Sequence, residues 1–217
     1  MTKENRRRDR IFLAAESLFA LHGFNGVSIR DISKKAEVNS ALVQYYFSSK
    51  ESLYRAIFEQ RYRSVTDERL AEIERVRPER NKKKWLHALV RVWVFPSLLL
   101  TRKRGGARFI QLLAREYYDP ESEQRGIIKA YFDPSAQVFT GKLRELFPQA
   151  SAADIAYAYQ SMITLLLTLG LGGRQANRLA EGEPPKTLEQ RAAFIVDFAA
   201  SGMYALLSVP AQHVPSP

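Results

Sequence analysis

Between Ser28 and Lys50 the chain gathers residue types that read nucleic-acid bases and hold phosphates, and few that break covalent bonds. Gln44 carries an amide that pairs bidentately with adenine, and Arg30 a guanidinium that pairs with guanine. Ser40 and Ala41, about one helical turn before Gln44, are small enough to let a helix approach base edges. Ser28, the free amides of the helix it starts, the Tyr45 and Tyr46 hydroxyls and the Lys50 ammonium are donors suited to phosphate; such contacts set register without choosing sequence. Catalytic groupings fail by type or spacing. His22, His87 and His213 lie far apart, with no HExxH-type ligand spacing. The Gly105–Gly106 and Gly170–Gly172–Gly173 groups lack the partners of a phosphate loop, and no serine sits in a nucleophile elbow. The absence of cysteine excludes disulfides, thiol nucleophiles and thiolate metal sites, and fits a reducing, cytoplasmic compartment. The expectation is a protein without catalytic residues, metal or cofactor.

The elements that must position these residues are helices; no strand pattern stands out. Ile11, Phe12, Ala15, Leu18 and Phe19 share one face of a helix ending at Gly23. Ser28 is an N-cap with Asp31 three residues on, opening a short helix that ends near Ala36. Asn39 caps a second short helix from about Ser40 to Tyr46. Ser48–Ser49 breaks it, and Ser49 caps a long helix from Lys50 towards Arg77. The two short helices, separated by Glu37–Val38–Asn39, match helix-turn-helix spacing, in which the second helix enters the major groove. Ile29, Ile32 and Ala36 can then pack on Val38, Val43 and Phe47, which turns Ser40, Ala41, Gln44 and Tyr45 outward. After the boundary at Pro78, helices are expected over Asn81–Leu100, Ala107–Tyr118, Glu121–Phe147, Ala152–Arg174 and Thr187–Ser208. Pro96 and Pro134 should kink or split two of them. Gly182–Pro185 reads as a loop, and the proline-rich tail after Val209 as frayed.

The 217 residues carry a formal charge of +10. Residues 1–55 hold ten Lys/Arg against six Asp/Glu, so net positive charge is about twice as dense there as in the remainder. That bias attracts and steers a polyanion. The Arg6–Arg7–Arg8 run is either a DNA-tracking arm or a solvated helix start. Lys82–Lys83–Lys84 and Arg102–Lys103–Arg104 read as solvated turns. The most apolar segment, Ile155–Leu171, is short for a membrane span and interrupted by Tyr157, Gln160, Ser161 and Thr164, so it is expected to be a helix buried in protein, with no membrane partner.

The run VNSALVQYYFSSKESL, Val38 to Leu53, resembles the signature of the TetR family, in which a recognition helix ends in an aromatic pair and is followed by a Ser-Lys-Glu helix start. The preceding block AAESLFALHGFNGVSIRDISKKAEV is similar to that family's first and second helices in order and spacing, so the resemblance covers about residues 8–58. It implies an all-α protein: a three-helix DNA-binding domain over residues 1–55, then a helical dimerisation and effector-binding domain over residues 56–217. It also implies a two-fold dimer on a near-palindromic operator, with Arg30, Ser40, Ala41, Gln44 and Tyr45 near bases and Ser28, Tyr46 and Lys50 on phosphates; Asn39, the cap of the reading helix, is counted with the DNA-binding residues. Three positions depart from the family pattern. Glu37 stands where glycine is usual, which predicts a turn that is either strained or slightly different. Ala41 replaces glycine and Leu42 replaces threonine, which alters the bases read.

About 160 residues follow the helix-turn-helix, enough for a dimer interface and a pocket. Ile155–Leu171 is apolar nearly all round, and Phe194, Ile195, Phe198, Ala199, Gly202, Met203 and Leu206 form a second broad apolar face. In the TetR family the last two long helices pair with their copies as a four-helix bundle, and these segments suit that role. An apolar effector cavity can draw on Trp93, Leu112, Phe139 and Met162, with Arg108 or Arg115 meeting a ligand carboxylate; the alternatives are an aromatic core and ion pairs to Glu116 or Asp119. The pattern FIQLLARE, Phe109 to Glu116, before a tyrosine-rich turn resembles the TetR subgroup that responds to fatty acids or acyl thioesters. The expected function is a sequence-specific transcriptional regulator, a homodimeric repressor released by a small apolar or amphipathic effector. Two alternatives remain: a helical small-molecule-binding protein or enzyme with a vestigial DNA-binding head, and a sequence-indifferent architectural DNA binder.

Overall fold

The first helix, α1 (Lys3–His22), buries Ile11, Phe12, Ala15 and Phe19 along one face and stops where Gly23 turns to φ +74°, its amide bonding Phe19 O at 2.9 Å. The computed structural model describes residues 3–209; the proline-rich tail after Val209 lies outside the described residues. These are helical almost throughout, with no strand among them.

The chain folds as two compact units. One comprises the chain up to Ser64 together with Leu100–Phe132; the other comprises Val65–Leu99 and the chain from Asp133 onward. In the first, α2 (Ile29–Ala36) and α3 (Ser40–Phe47) follow α1, and α4 (Lys50–Arg75) begins. Local capping sets these boundaries. Ser28 Oγ accepts the Asp31 amide at 3.2 Å while Asp31 Oδ2 accepts the Ser28 amide at 2.9 Å, a reciprocal capping box. Asn39 Oδ1 accepts the Leu42 amide at 2.8 Å, and Ser49 Oγ the Ser52 amide at 3.0 Å. Further along, α6 (Gly106–Tyr118) packs on α1, preceded by α5 (Lys82–Leu99) of the other unit and a 3₁₀ turn at Leu100–Arg102.

Two buried ion networks tie the first unit together. Arg61 donates to both oxygens of the fully buried Glu16, at 2.6 and 2.8 Å. Glu116 is equally enclosed. It accepts from the Tyr54 hydroxyl at 2.8 Å, the Ser122 hydroxyl at 3.1 Å and the Arg125 guanidinium at 3.0 Å. Burial, and then the adjacent Glu116 carboxylate, push the Tyr54 hydroxyl far above its ordinary range.

The helix expected over Glu121–Phe147 is broken. Instead α7 (Ser122–Arg125) ends at Gly126 in the left-handed region (φ +62°), a π-helical turn covers Ile128–Phe132, and α8 (Asp133–Leu146) restarts with Pro134 in its first turn, where no amide donor is needed. Pro96 does not split its helix: α5 runs through it to Leu99, held by a face on which Trp93, Val94, Ser97 and Leu98 are buried.

In the second unit α9 (Ala152–Gly170) stops four residues short of the expected Arg174, because Gly172 and Gly173 turn to positive φ before α10 (Arg174–Leu179). The last helix, α11 (Leu188–Leu207), opens on a Thr187–Gln190 capping box and packs on α5 and α9. No described helix is long and apolar enough to cross a membrane.

Candidate nucleic-acid interface

Ile32, Ala36, Val43 and Phe47 form the buried seam of α2 and α3. Their burial fixes what the other faces show. Arg30, Asn39, Ser40, Ala41, Gln44 and Tyr45 are all exposed, Tyr45 at 73% of its surface. Among the ring contacts of the described residues, the Tyr45 ring packs only edge-on against Tyr46, which leaves its hydroxyl end outward. Ser40 keeps one local contact, its Oγ lying 3.0 Å from Ser33 Oγ.

The expected phosphate donors are exposed or half-buried and already hydrogen-bonded. The Ser28 hydroxyl donates to Asp31 Oδ2 at 2.6 Å. That bond, with the one from the Ser28 amide, holds the Asp31 carboxyl below its ordinary value. Tyr46 is half-buried; its hydroxyl donates to Glu4 O at 3.4 Å and its ring meets Tyr45 edge-on at 5.2 Å. Lys50 Nζ donates to Phe24 O at 3.2 Å and stands 4.1 Å above the Phe24 ring. These bonds hold the three side chains around the helix-turn-helix without neutralising the Lys50 charge.

Of the two outcomes expected from Glu37, the turn shows strain, with φ +51° and ψ +52°. Arg10 holds it there, donating to Ala36 O, to Glu37 O at 3.2 Å and to Glu37 Oε2 at 3.1 Å. No local signal in the sequence reveals this clamp, since the partners are 27 residues apart. Arg8 lies 5.2 Å over the Phe47 ring, so α1 braces α3 as well.

The residues expected around an effector divide between the units. Trp93, Phe139 and Met162 are buried in the second, where Trp93, Phe139 and Tyr159 make a ring cluster with centroids 4.9 to 5.8 Å apart. Leu112 is buried in the first. Arg115 donates to Ala20 O and Leu21 O, both at 2.8 Å, closing the carbonyl end of α1; Glu116 and Asp119 pair with Arg125 instead. Arg108 is exposed and lines a basic cleft with Arg10, Lys35 and Arg104. A groove of about 650 Å³ runs between α9 and α11, lined by Tyr157, Met162, Phe198, Met203 and Leu206 among others. Tyr157, Phe198 and Leu206 are each more than half exposed there.

Comparison with known proteins places this geometry. Residues 11–57 match the family model described as bacterial regulatory proteins, tetR family, and residues 91–202 match one described as tetracyclin repressor-like, C-terminal domain. The chain is 42% identical over 60 residues to the HTH-type transcriptional repressor NicS of Pseudomonas putida, spanning 28% of each chain. It is 46% identical over 46 residues to the probable HTH-type transcriptional regulator YttP of Bacillus subtilis, spanning 21% of this chain and 22% of that one. The chain thus spans about a quarter of the length of the curated relatives it matches. Among solved structures, a mutant of HlyIIR aligns with TM-score 0.61 and 19% identity, covering 98% of this chain and 100% of that one. The TetR family regulator PfmR of Thermus thermophilus aligns with TM-score 0.57 and 16% identity, covering 98% and 99%. At these identities the likeness is one of fold.

Proposed function

Because the chain belongs to the TetR family of bacterial regulatory proteins, we propose that it is a sequence-specific DNA-binding repressor, acting in the cytoplasm as a homodimer and released from its operator by a small molecule. The observation that carries this is the exposed row on α3 and the start of α2 above a sealed seam. Arg30, Ser40, Ala41, Gln44 and Tyr45 are exposed there, with only local side-chain contacts, from Ser40 to Ser33 and from Tyr45 to Tyr46, among the described residues. Gln44 and Arg30 read bases in the major groove; Ser28, Tyr46 and Lys50 hold phosphates on either side. Asn39 starts the reading helix and brings its amide end to the groove. Residues 1–55 are the reading part and residues 56–217 the part that pairs and responds.

Two copies pair through the groove between α9 and α11, which buries Tyr157, Phe198 and Leu206 and sets a near-palindromic operator with half-sites about 34–36 Å apart. The effector is apolar or amphipathic, a fatty acid or acyl thioester, against Trp93, Phe139 and Met162. This is the class that the Phe109–Glu116 pattern favours. Its binding favours a spacing of the two reading helices that no longer fits the operator.

Fluorescence anisotropy with the region upstream of the protein's own gene, against a scrambled duplex, tests the reading. Binding to the native duplex alone, with Gln44→Ala eroding that preference, is the expected result. Binding that ignores sequence and is indifferent to Gln44→Ala and Arg30→Ala overturns it in favour of an architectural role.

A further inference from the structure

We infer that Lys35, Arg104 and Arg108, beside but outside the reading helix, form a second phosphate-binding cleft that grips the backbone of duplex flanking the bases read by α3. The inference rests on the assignment of α3 as the DNA-reading helix. The cleft, about 410 Å³, is walled by Arg10 and Ser17 of α1, by Lys35 and Glu37 at the end of α2, and by Arg104 and Arg108 around the start of α6.

Its charge is unbalanced. Four cations face one carboxylate, and that carboxylate, Glu37, is already paired with Arg10 at 3.1 Å. Lys35, Arg104 and Arg108 are exposed and make no ion pair among the described residues. Glu16 underlies this region, since a Cβ on Gly105 would stand 2.7 Å from its Oε2. It adds no net negative charge, because Arg61 pairs with it. The thirteen-residue α6 begins between Arg104 and Arg108, which places both guanidinium-bearing positions at one end of one helix.

Position selects the occupant. The Tyr46 hydroxyl bonds Glu4 O and Arg8 covers Phe47, so the start of α1 abuts the end of α3. Glu37, in the turn that leads into α3, also lines the cleft, so phosphates meeting the cleft lie beside the bases that α3 reads. The cations are exposed rather than enclosed. That suits a polyanion, bound by releasing its counterions, better than a small anion, which needs desolvation to bind tightly.

The test uses the intact protein and a duplex recovered from it by random-sequence selection. The duplex is offered trimmed to the base pairs that the selection specifies, and again with roughly 15 base pairs added at each end, about one and a half helical turns. The extended duplex is expected to bind more tightly. With one added phosphate per subunit, its affinity should fall roughly tenfold further than that of the trimmed duplex between 50 and 200 mM salt. Arg104→Gln with Arg108→Gln should remove both differences while leaving the trimmed duplex bound as before; Arg104→Lys with Arg108→Lys should keep them. Equal affinity and salt dependence for the two lengths in the unmodified protein overturns the cleft alone. So does a Gln variant that weakens both lengths equally, or one that leaves the length advantage intact. Inorganic pyrophosphate bound tightly by the unmodified protein and lost in the Gln variant, without a length effect, would reassign the cleft to a small anion. Failure of any duplex to be recovered overturns the reading of α3 and the cleft together.

Discussion

Arg10 on α1 holds Glu37 in the turn between α2 and α3, meeting both its carbonyl, at 3.2 Å, and its carboxylate, at 3.1 Å. Glu37 needs holding because its φ of +51° is a conformation that a side chain disfavours. Glycine at this position removes the left-handed penalty of roughly 1–2 kcal/mol, offset by the greater freedom of glycine in the unfolded chain. Glu37→Gly also gives up the exposed carboxylate pair with Arg10, worth about 0–1 kcal/mol, so it is expected to leave stability unchanged or raise it by up to about 1 kcal/mol, read as the denaturation midpoint. Arg10→Ala should cost about 1 kcal/mol. In a double-mutant cycle Arg10→Ala should cost less on the Glu37→Gly background. Strictly additive effects would show that the guanidinium does not restrain the turn.

Gln44 and Lys50 should separate cleanly in DNA binding. Gln44→Ala is expected to lose about 1–3 kcal/mol of discrimination against a wrong base while leaving non-specific affinity unchanged. Lys50→Ala should weaken all duplexes alike and flatten the salt dependence by about one phosphate per subunit. Because Lys50 also bonds Phe24 O and covers its ring, that variant should in addition unfold at lower denaturant, by roughly 0.5–2 kcal/mol. Lys50→Ala with no change in salt slope would remove it from the phosphate contacts.

Alkaline pH should expose the Tyr54–Glu116 bond. The hydroxyl ionises from about 10 in the unfolded chain and well above that in the fold. The unfolded chain therefore loses its proton first, and the stability this group contributes is complete below pH 10 and declines above it. The slope from this one group cannot exceed about 1.4 kcal/mol per pH unit. Tyr54→Phe should lower stability at neutral pH by about 1.5–3 kcal/mol, as loss of a hydrogen bond to a charged group does, and should flatten the decline above pH 10. An unchanged alkaline slope would show that the bond is open in solution.

The groove between α9 and α11 makes a prediction about mass. Phe198→Asp or Leu206→Asp places a carboxylate where an apolar face is proposed to be covered, and both residues are more than half exposed within one chain. Each variant should keep its helical circular dichroism, elute at the monomer mass by light scattering and lose operator affinity. A dimer of unchanged stability would move the interface elsewhere.

What the sequence disclosed follows the range of the interaction. Ser28 with Asp31, Asn39, and Thr187 as a cap act within three residues, so their spacing alone marks where helices begin. The outward row on α3 was legible for the same reason, since a helix with Val43 and Phe47 buried must turn Ala41, Gln44 and Tyr45 away. The missed features join distant segments. Arg10 finds Glu37, Lys50 finds Phe24, and Arg115 finds the carbonyls of Ala20 and Leu21, none of which periodicity encodes. The break at Gly126 and the persistence of α5 through Pro96 show the same division. A glycine or proline states a local preference, and the buried face of the helix decides whether that preference prevails.

The enclosure of Glu16 bears on how reading heads could be exchanged between relatives. Its carboxylate is fully buried and, among the described residues, is balanced by Arg61, beyond the end of the helix-turn-helix segment; Tyr54 likewise leans on Glu116, from a stretch encoded some sixty positions later. A graft that transplanted residues 1–55 alone would seal a bare negative charge inside its new host and would be selected against at the level of folding. A chimaera that carries the chain up to Ser64 keeps Glu16 with Arg61, and one that adds Leu100 to Phe132 also returns Glu116 to Tyr54 and Arg125, so a reading head with both networks whole is discontinuous in the gene.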